Sequence, residues 1–213
     1  MHSTRSRNTY VVVGALWAAA ILIGLARLLA YESTSDISHN APPTWPMGSV
    51  VHRMAGMPTL VVLAHPRCPC SRATIGELAK LMTACRGKVS ATVLIVRPSE
   101  FAEGWERTDL WESAAAIPGV TVTSDIAGVE SSRFGAATSG QTLLYSADGK
   151  LLFAGGITES RGHWGDNTGR SVITSLVLGS TETPTVRATP VYGCPLFDPL
   201  SPKRAEGVVC HAN

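Results

Sequence analysis

The chain begins with an apolar run, residues 10–26, that holds no charged side chain. A helix of this composition is long enough to cross a bilayer. Basic residues precede the run and acidic residues follow it, namely Arg5 and Arg7 against Glu32 and Asp36. The positive-inside rule then predicts a single-pass anchor, with everything after residue 31 on the extracytoplasmic, periplasmic side of the cytoplasmic membrane. A cleaved signal peptide is the alternative, since residues 24–26 form a small-x-small site, but the length of the run favours an anchor.

The rest of the chain is close to electrically neutral. Eighteen basic residues stand against 16 acidic ones over the 213 residues, and three of the arginines lie within the first 31. A neutral body without a basic stripe has nothing to neutralise phosphates, which argues against a nucleic-acid partner. With 45% hydrophobic residues, the chain can bury the core of one ordinary domain.

Composition divides the chain into five segments. They are a cytoplasmic tail (1–9), a transmembrane anchor (10–31), a spacer (32–58), a folded domain (59–178) and a C-terminal tail (179–213). The spacer is rich in Ser, Thr, Asn and Pro and lacks an apolar period, and the tail is rich in Thr and Pro. We therefore expect regular structure after the anchor only within the folded domain.

Hydrophobic periodicity within that domain predicts alternating strands and helices. A continuous apolar run, 59–65, predicts a buried strand, and after the Cys-Pro-Cys segment apolar residues at helical spacing predict a helix that stops near Gly87. Further strands are predicted at 88–96, 119–124, 141–145 and 150–154, with a short helix capped by Asp125 and a last helix over 167–178. This order indicates an α/β fold with a central mixed sheet flanked by helices.

The cysteine pair at the start of the first of these helices carries the chemistry that we expect. Proline is favoured at the first helical position, so Pro69 places Cys68 at the N-cap, where free backbone amides and the helix dipole face its sulfur. Arg67 and Arg72 add positive charge nearby, and all of these favour the thiolate. We predict that Cys68 is the nucleophile and that Cys70 resolves its mixed disulfide, although a structural pair remains the alternative. A disulfide between residues this close is geometrically tight, which makes it easier to reduce.

With these residues the sequence resembles the thioredoxin superfamily. The strand LVVLAH, the Cys-Pro-Cys turn that opens a helix, and Phe134-Gly135 followed by TLLYSADGKLLFAGG resemble that family's catalytic turn and closing hairpin, over residues 59–178. The segments HPRCPC, SG, GGIT and GCPL are similar to those of its membrane-anchored, extracytoplasmic RedB-like group. The resemblance implies a thioredoxin-like fold. The sequence departs from the family in having Cys-x-Cys instead of Cys-x-x-Cys, and in lacking a proline before the hairpin at residues 138–141.

Three polar residues outside the cysteine pair are further site candidates. His65 ends the first strand of the domain and can shuttle a proton or bind a metal, with a plain structural hydrogen bond as the alternative. The loop after the hairpin lies beside the active cysteines in the resembled fold, which implies that Arg161 and His163 lie near Cys68. There they would stabilise a thiolate or bind an anionic substrate group, unless the loop only leads into the last helix.

The other three cysteines are expected to be passive. Export places them in an oxidising compartment, and a total of five leaves at least one thiol without a partner in the chain. Cys85 falls on the apolar face of its helix, and Cys210 lies near the C-terminus. Cys194, in a Gly-Cys-Pro-Leu segment, is either a third redox thiol or a passive residue, and the sequence favours the second.

These observations favour a membrane-anchored extracytoplasmic thiol-disulfide oxidoreductase that acts on exported protein thiols or disulfides and needs no cofactor. The main alternative is a module that binds or delivers copper or zinc through Cys68, Cys70, His65 and His163, because Cys-x-Cys thiolates suit these ions. A peroxide-reducing protein, with Arg161 as its activating cation, and a degenerate domain that only binds partners are weaker alternatives.

Overall fold

The computed structural model describes residues 3–37, 40–179 and 185–197. In chain order the elements are α1 (Ser3–Ser33), β1 (Asp36–Ile37), β2 (Thr59–Ala64), α2 (Pro69–Ala84), β3 (Ser90–Arg97), α3 (Asp109–Ala115), β4 (Val120–Ile126), α4 (Val129–Arg133), β5 (Thr142–Tyr145), β6 (Leu151–Gly155), α5 (Thr168–Leu178) and β7 (Pro190–Val191).

Helix α1 forms a compact unit of its own, which ends at Thr34. Its portion from Asn8 to Ser33 is long and apolar enough to cross a membrane, as an anchor or a signal sequence would be. Its large apolar side chains are exposed, which suits contact with lipid. The helix agrees with the predicted span.

The second unit is built on a five-stranded sheet with the order β4-β3-β2-β5-β6. Strands β2, β3 and β4 run parallel, whereas β5 pairs antiparallel with both β2 and β6. Helix α2 connects the parallel strands β2 and β3, and β5 and β6 form the predicted hairpin. This mixed sheet flanked by helices confirms the predicted α/β class and the thioredoxin-like fold.

Strand β2 is the centre of the sheet and is buried on both faces. Leu60, Val62 and Ala64 belong to a core cluster that includes side chains of α2, α3 and α5. Val61 and Leu63 point to the other face, where they join a second cluster. The strand is therefore packed into the core on both of its faces.

The short helix after β4 starts later than predicted. Strand β4 continues to Ile126, and the N-cap of α4 is Gly128 in a left-handed conformation (φ 65°). Asp125 still satisfies the first turn, because its buried carboxylate accepts hydrogen bonds from the amides of Glu130 and Ser131, at 2.8 and 2.9 Å. The acid thus caps the helix from the strand and not from the N-cap position.

Part of the predicted spacer packs against the folded domain. Trp45 meets the rings of Phe134 and Tyr145 edge-on, at centroid distances of 5.1 Å each. The Trp45 amide donates to the carbonyl of Gly149, at 2.8 Å. An aromatic side chain buries enough apolar surface to hold such a segment in place.

The described part of the predicted C-terminal tail, 185–197, also belongs to the fold. Strand β7 pairs with β1, and the amide of Ala154 in β6 donates to the carbonyl of Arg187, at 3.1 Å. Val191 and Leu196 are buried. This C-terminal segment runs from the edge of the sheet to the start of α2.

Candidate functional site

Cys68 lies at the junction between the central strand and helix α2. It is the N-cap of the helix, with extended backbone angles (φ −88°, ψ 122°), and Pro69 opens the first turn. Its amide donates to the carbonyl of His65, at 3.2 Å, which tightens the turn after β2. The structure therefore confirms the predicted helix start. The Cys68 side chain makes no capping hydrogen bond to the first turn.

The sulfur of Cys68 instead contacts a cysteine from the other end of the chain. The Sγ atoms of Cys68 and Cys194 lie 3.1 Å apart, and neither forms a disulfide. Cys68 is only 1% exposed, whereas Cys194 is half-buried. A residue that the sequence favoured as passive is thus a direct neighbour of the predicted nucleophile.

Backbone hydrogen bonds fix the position of Cys194. The amide of Ser139 donates to the carbonyl of Cys194, at 2.8 Å, and the amide of Leu196 donates to that of Ala137, at 2.7 Å. Together they form an antiparallel bridge between Thr138 and Pro195. The Gly-Cys-Pro-Leu segment therefore lies along residues 137–139, just before the hairpin, like a short added strand.

The glycine before Cys194 allows this close approach. A Cβ atom at Gly193 would lie 1.8 Å from the carbonyl oxygen of Ser139, a separation that no side chain tolerates. The carbonyl of Gly193 accepts a hydrogen bond from Nη1 of Arg161, at 2.7 Å. The predicted loop residue Arg161 thus reaches the site by holding the Cys194 segment.

Contacts within the cysteine cluster shift the pKa values of Cys68 and Cys70 in opposite directions. The pKa of Cys68 is lowered far below its usual range, mainly by hydrogen bonds from the thiols of Cys194 and Cys70, with burial opposing. The pKa of Cys70 is raised well above its usual range, by its hydrogen bond to Cys68, by burial and by the Cys68 charge. These shifts favour the thiolate at Cys68 and the protonated thiol at Cys70.

The loop after β6 moderates the rise in the pKa of Cys70. The positive charge of Arg161 and a hydrogen bond from the backbone amide of Gly162 both lower that pKa. This places the glycine-rich loop beside the cysteines, as the resemblance implied.

Arg67 and Arg72, which were expected to stabilise the Cys68 thiolate, contact other side chains. Arg72 forms a two-pronged ion pair with Asp109 at the surface. The guanidinium of Arg67 lies over the ring of Trp105, 4.8 Å from its centroid. The main stabilisation of the Cys68 thiolate comes from sulfur donors and not from these two arginines.

The two histidines have contacts of different kinds. His65 is buried, and its Nδ1 accepts a hydrogen bond from the amide of Arg67, at 3.2 Å, while its ring meets Trp105 edge-on. That bond suits the structural interpretation of His65. His163 is exposed, and its Nδ1 lies 2.9 Å from the carbonyl oxygen of Arg161 within the same loop.

A pair of serines, not predicted from sequence, joins three elements behind the cysteines. The hydroxyl of Ser139 accepts from the amide of His65, at 3.0 Å, and lies 2.5 Å from the hydroxyl of Ser71. The end of β2, the first turn of α2 and the loop before β5 are thereby tied together. The sequence offers two signals for these contacts, the small residues Ser139-Gly140 and the Gly-Cys-Pro-Leu segment. Neither signal specifies which residues meet.

Among the described residues, no three His, Cys, Asp or Glu side chains are arranged to hold a metal ion. The copper or zinc alternative, with Cys68, Cys70, His65 and His163 as ligands, therefore gains no support from the geometry. Cys85, the C-cap of α2, is fully buried, and burial raises the pKa of its thiol, so it is a core residue as predicted. Cys210 lies outside the described residues.

No protein-family model matches the chain, and no curated protein matches it. A hypothetical protein of Sinorhizobium meliloti is similar in structure, with 19% identity, a TM-score of 0.55, and coverage of 77% of this chain and 91% of that one. An uncharacterized conserved protein of Geobacillus kaustophilus is similar with 18% identity, a TM-score of 0.56, and coverage of 80% and 96%. These two likenesses show a shared fold. A secreted disulfide oxidoreductase of Mycobacterium tuberculosis gives 15% identity, a TM-score of 0.43, and coverage of 64% and 93%.

Proposed function

Since the chain has a thioredoxin-like fold in which the helix after the central strand begins at a cysteine with a lowered pKa, we propose that it is a membrane-anchored extracytoplasmic thiol-disulfide oxidoreductase. The observation that carries the proposal is the cluster of Cys68, Cys70 and Cys194, in which the Cys68 sulfur lies 3.1 Å from that of Cys194 and hydrogen bonds from two thiols lower the Cys68 pKa. The thiolate is the nucleophile of thiol-disulfide exchange, so a depressed pKa matches this chemistry.

The reaction proceeds by two exchanges. The Cys68 thiolate attacks one sulfur of a disulfide in an exported protein, so that a mixed disulfide forms and the other substrate sulfur leaves as a thiolate that takes up a proton. A second cysteine of the site then loses its proton and attacks the Cys68 sulfur. An intramolecular disulfide forms, the bond to the substrate breaks, and the substrate is released as a dithiol. Every step is reversible, and the relative reduction potentials of the protein and its substrate set the direction.

Helix α1 and the charges around it support the proposed location. The helix suits a membrane anchor, and the basic residues before it, Arg5 and Arg7, favour a cytoplasmic N-terminus. Fractionation of cells that express the full chain tests this: the protein should stay with the membrane, keep its N-terminal peptide, and be digested by protease added outside the cytoplasmic membrane. A soluble protein that lacks residues 1–26 would identify a cleaved signal peptide and contradict the anchor.

The activity is tested with the full chain in detergent and oxidised glutathione as the disulfide substrate. We expect the wild type to exchange disulfides and Cys68→Ser to lose this exchange. Cys85→Ala is the matched control, because it removes a buried thiol at the other end of the same helix, at its C-cap, that does not belong to the cluster. Exchange that survives in Cys68→Ser, or a wild type whose thiols do not react with glutathione disulfide, would overturn the proposal.

A further inference from the structure

Cys70 and Cys194 differ in how their sulfurs are placed relative to the sulfur of Cys68. The sulfur of Cys194 lies 3.1 Å from the Cys68 sulfur, and Cys194 belongs to the C-terminal segment and not to helix α2. A disulfide needs about 2.05 Å between the sulfurs, so a small movement of either side chain closes the gap. Cys194 is half-buried, whereas Cys68 and Cys70 are 1% and 7% exposed. Cys194 is therefore the most exposed of the three residues.

The fold holds Cys194 in that position from several sides. The residues around it bond to the backbone of Ala137 and Ser139, and Leu196 buries its side chain completely in the second core cluster. Arg161 holds the carbonyl of Gly193. So many contacts restrict the segment before any bond between sulfurs forms, which raises the effective concentration of the Cys194 thiol at Cys68.

Cys70 is poorly placed for the same role. It follows Cys68 by only two positions, and although its thiol is within hydrogen-bonding reach of the Cys68 sulfur, a disulfide between residues this close in sequence is geometrically tight. Its pKa is raised in part by burial, and that contribution persists when Cys68 carries a mixed disulfide and has no charge. A thiol that stays protonated attacks slowly, since the thiolate is the reacting form.

We propose that Cys194, and not Cys70, is the thiol that resolves the mixed disulfide on Cys68, so that the oxidised protein carries a Cys68–Cys194 disulfide between α2 and the C-terminal segment. This inference rests on the proposed function and names the second cysteine that the proposed reaction uses. Cys70 then acts as a positioning residue, because its thiol donates a hydrogen bond to the Cys68 thiolate in the reduced state.

The chemistry balances without a further reactant. The Cys194 thiol loses its proton to solvent, its sulfur attacks Cys68, the Cys68–Cys194 bond forms, and the bond between Cys68 and the substrate sulfur breaks. The substrate sulfur leaves as a thiolate and is protonated. The two site cysteines are oxidised by two electrons, and the substrate disulfide is reduced by two electrons. Cys70 remains a thiol throughout.

The disulfide can be mapped in the unmodified full chain. The protein in detergent is reduced, oxidised with glutathione disulfide, alkylated and digested with trypsin. Cleavage after Arg67 and Arg72 releases peptide 68–72, which contains both Cys68 and Cys70, and cleavage after Arg187 and Lys203 releases peptide 188–203, which contains Cys194. We expect the two peptides to be joined, with one alkylated cysteine in 68–72. An internal disulfide in 68–72 with an alkylated Cys194 would overturn the inference.

Two matched variants locate the bond and the resolving step. Cys70→Ser should still join peptides 68–72 and 188–203, which fixes the bond at Cys68. After a single addition of glutathione disulfide, Cys194→Ser should retain glutathione on Cys68, whereas Cys70→Ser should release it. The opposite pattern, with glutathione trapped in Cys70→Ser and released in Cys194→Ser, would contradict the inference.

The outcomes also separate this inference from the proposed function. If the wild type forms a mixed disulfide that Cys70 resolves, the protein is still an oxidoreductase, and only the role of Cys194 is wrong. If Cys68 accepts no glutathione and no intramolecular disulfide forms in the wild type, both proposals fail. The mapping on wild-type protein needs no substitution, so a variant that misfolds does not decide the result.

Discussion

The guanidinium of Arg161 donates a hydrogen bond of 2.7 Å to the carbonyl oxygen of Gly193. This contact connects the loop after β6 to the segment that carries Cys194, and it comes from the same side chain whose charge lowers the pKa of Cys70. One arginine therefore acts on two of the three cysteines of the site, by holding the backbone beside one and by its charge on the other.

Replacing Arg161 with Gln should weaken the Cys68–Cys194 disulfide relative to glutathione by at least about tenfold, because a hydrogen bond from a charged donor contributes ~1.5–3 kcal/mol and each ~1.4 kcal/mol is a factor of ten. The measurement is the fraction of oxidised protein across glutathione buffers of graded ratio. Lys150→Gln is the control, since it removes an equal charge from an exposed residue in the hairpin turn. Equal shifts in the two variants would show that net charge, and not the contact with Gly193, sets the equilibrium.

In the reduced site, Cys68 and Cys70 should release their protons in two widely separated steps. The pKa of Cys68 is lowered and that of Cys70 is raised, so the ultraviolet absorbance of one thiolate should be present already at acid pH, with another appearing only in strong alkali. Cys68→Ser should remove the acid step.

The Cys194 thiol makes the largest contribution to the lowered pKa of Cys68, so Cys194→Ala should move the acid step towards the ordinary thiol value of about 8.5. Because the pKa of Cys68 is lower in the folded state than in the unfolded state, the stability it contributes is present above the unfolded value and is lost as pH falls through the folded one. Unfolding of reduced Cys194→Ala should therefore depend less on pH over that window than unfolding of the wild type. An acid step that does not move in Cys194→Ala would contradict the assignment.

The parts of the site that lie along one stretch of chain are predictable from sequence. Pro69 after Cys68 specifies a helix start by its fixed backbone angle and its missing N–H, and the structure places Cys68 at the N-cap. The buried strand before it and the hairpin around Asp148-Gly149 follow from local patterns in the same way. Local rules suffice there because each depends only on neighbouring residues.

Contacts between distant segments could not be predicted in this way. The approach of Cys194 to Cys68 joins residues 126 positions apart, and it depends on Gly193 fitting against Ser139. Arg67 and Arg72 are near Cys68 in sequence, yet Trp105 and Asp109 compete for their charges. Proximity in sequence indicates which groups are available, but the fold decides which of them meet.

Glu77 should be a strong determinant of stability. Its side chain is fully buried and accepts hydrogen bonds from Arg170, from the amide of Gly165 at 3.0 Å and from Asn167 at 3.2 Å. Glu77→Ala removes a buried acceptor that these donors share, although Arg170 keeps Asp166 and Asn167 keeps the carbonyl of Gly165, so the free energy of unfolding should fall by about 1–3 kcal/mol. Denaturant unfolding measures the change. The control is Glu112→Ala, at an exposed position on α3, whose free energy of unfolding should stay within about 0.5 kcal/mol of the wild-type value. An equally small change in Glu77→Ala would contradict the stabilising role of Glu77.

Leu196 should control how well reagents reach Cys68. Its side chain is fully buried, two residues after Cys194, and it anchors the segment that contacts the Cys68 sulfur. Leu196→Ala removes buried methyl groups at a cost of about 2–5 kcal/mol, and since the loss falls on this segment, the segment should separate from Cys68 more often. The rate at which a neutral maleimide alkylates Cys68 should then rise above the wild-type rate. Mass spectrometry of peptide 68–72 measures this rate. Val186→Ala, at a position 44% exposed in the same stretch of chain, is the control and should leave the rate unchanged. If Leu196→Ala lowers stability but leaves the alkylation rate unchanged, the Cys194 segment does not cover Cys68, and substrates reach the thiolate by another path.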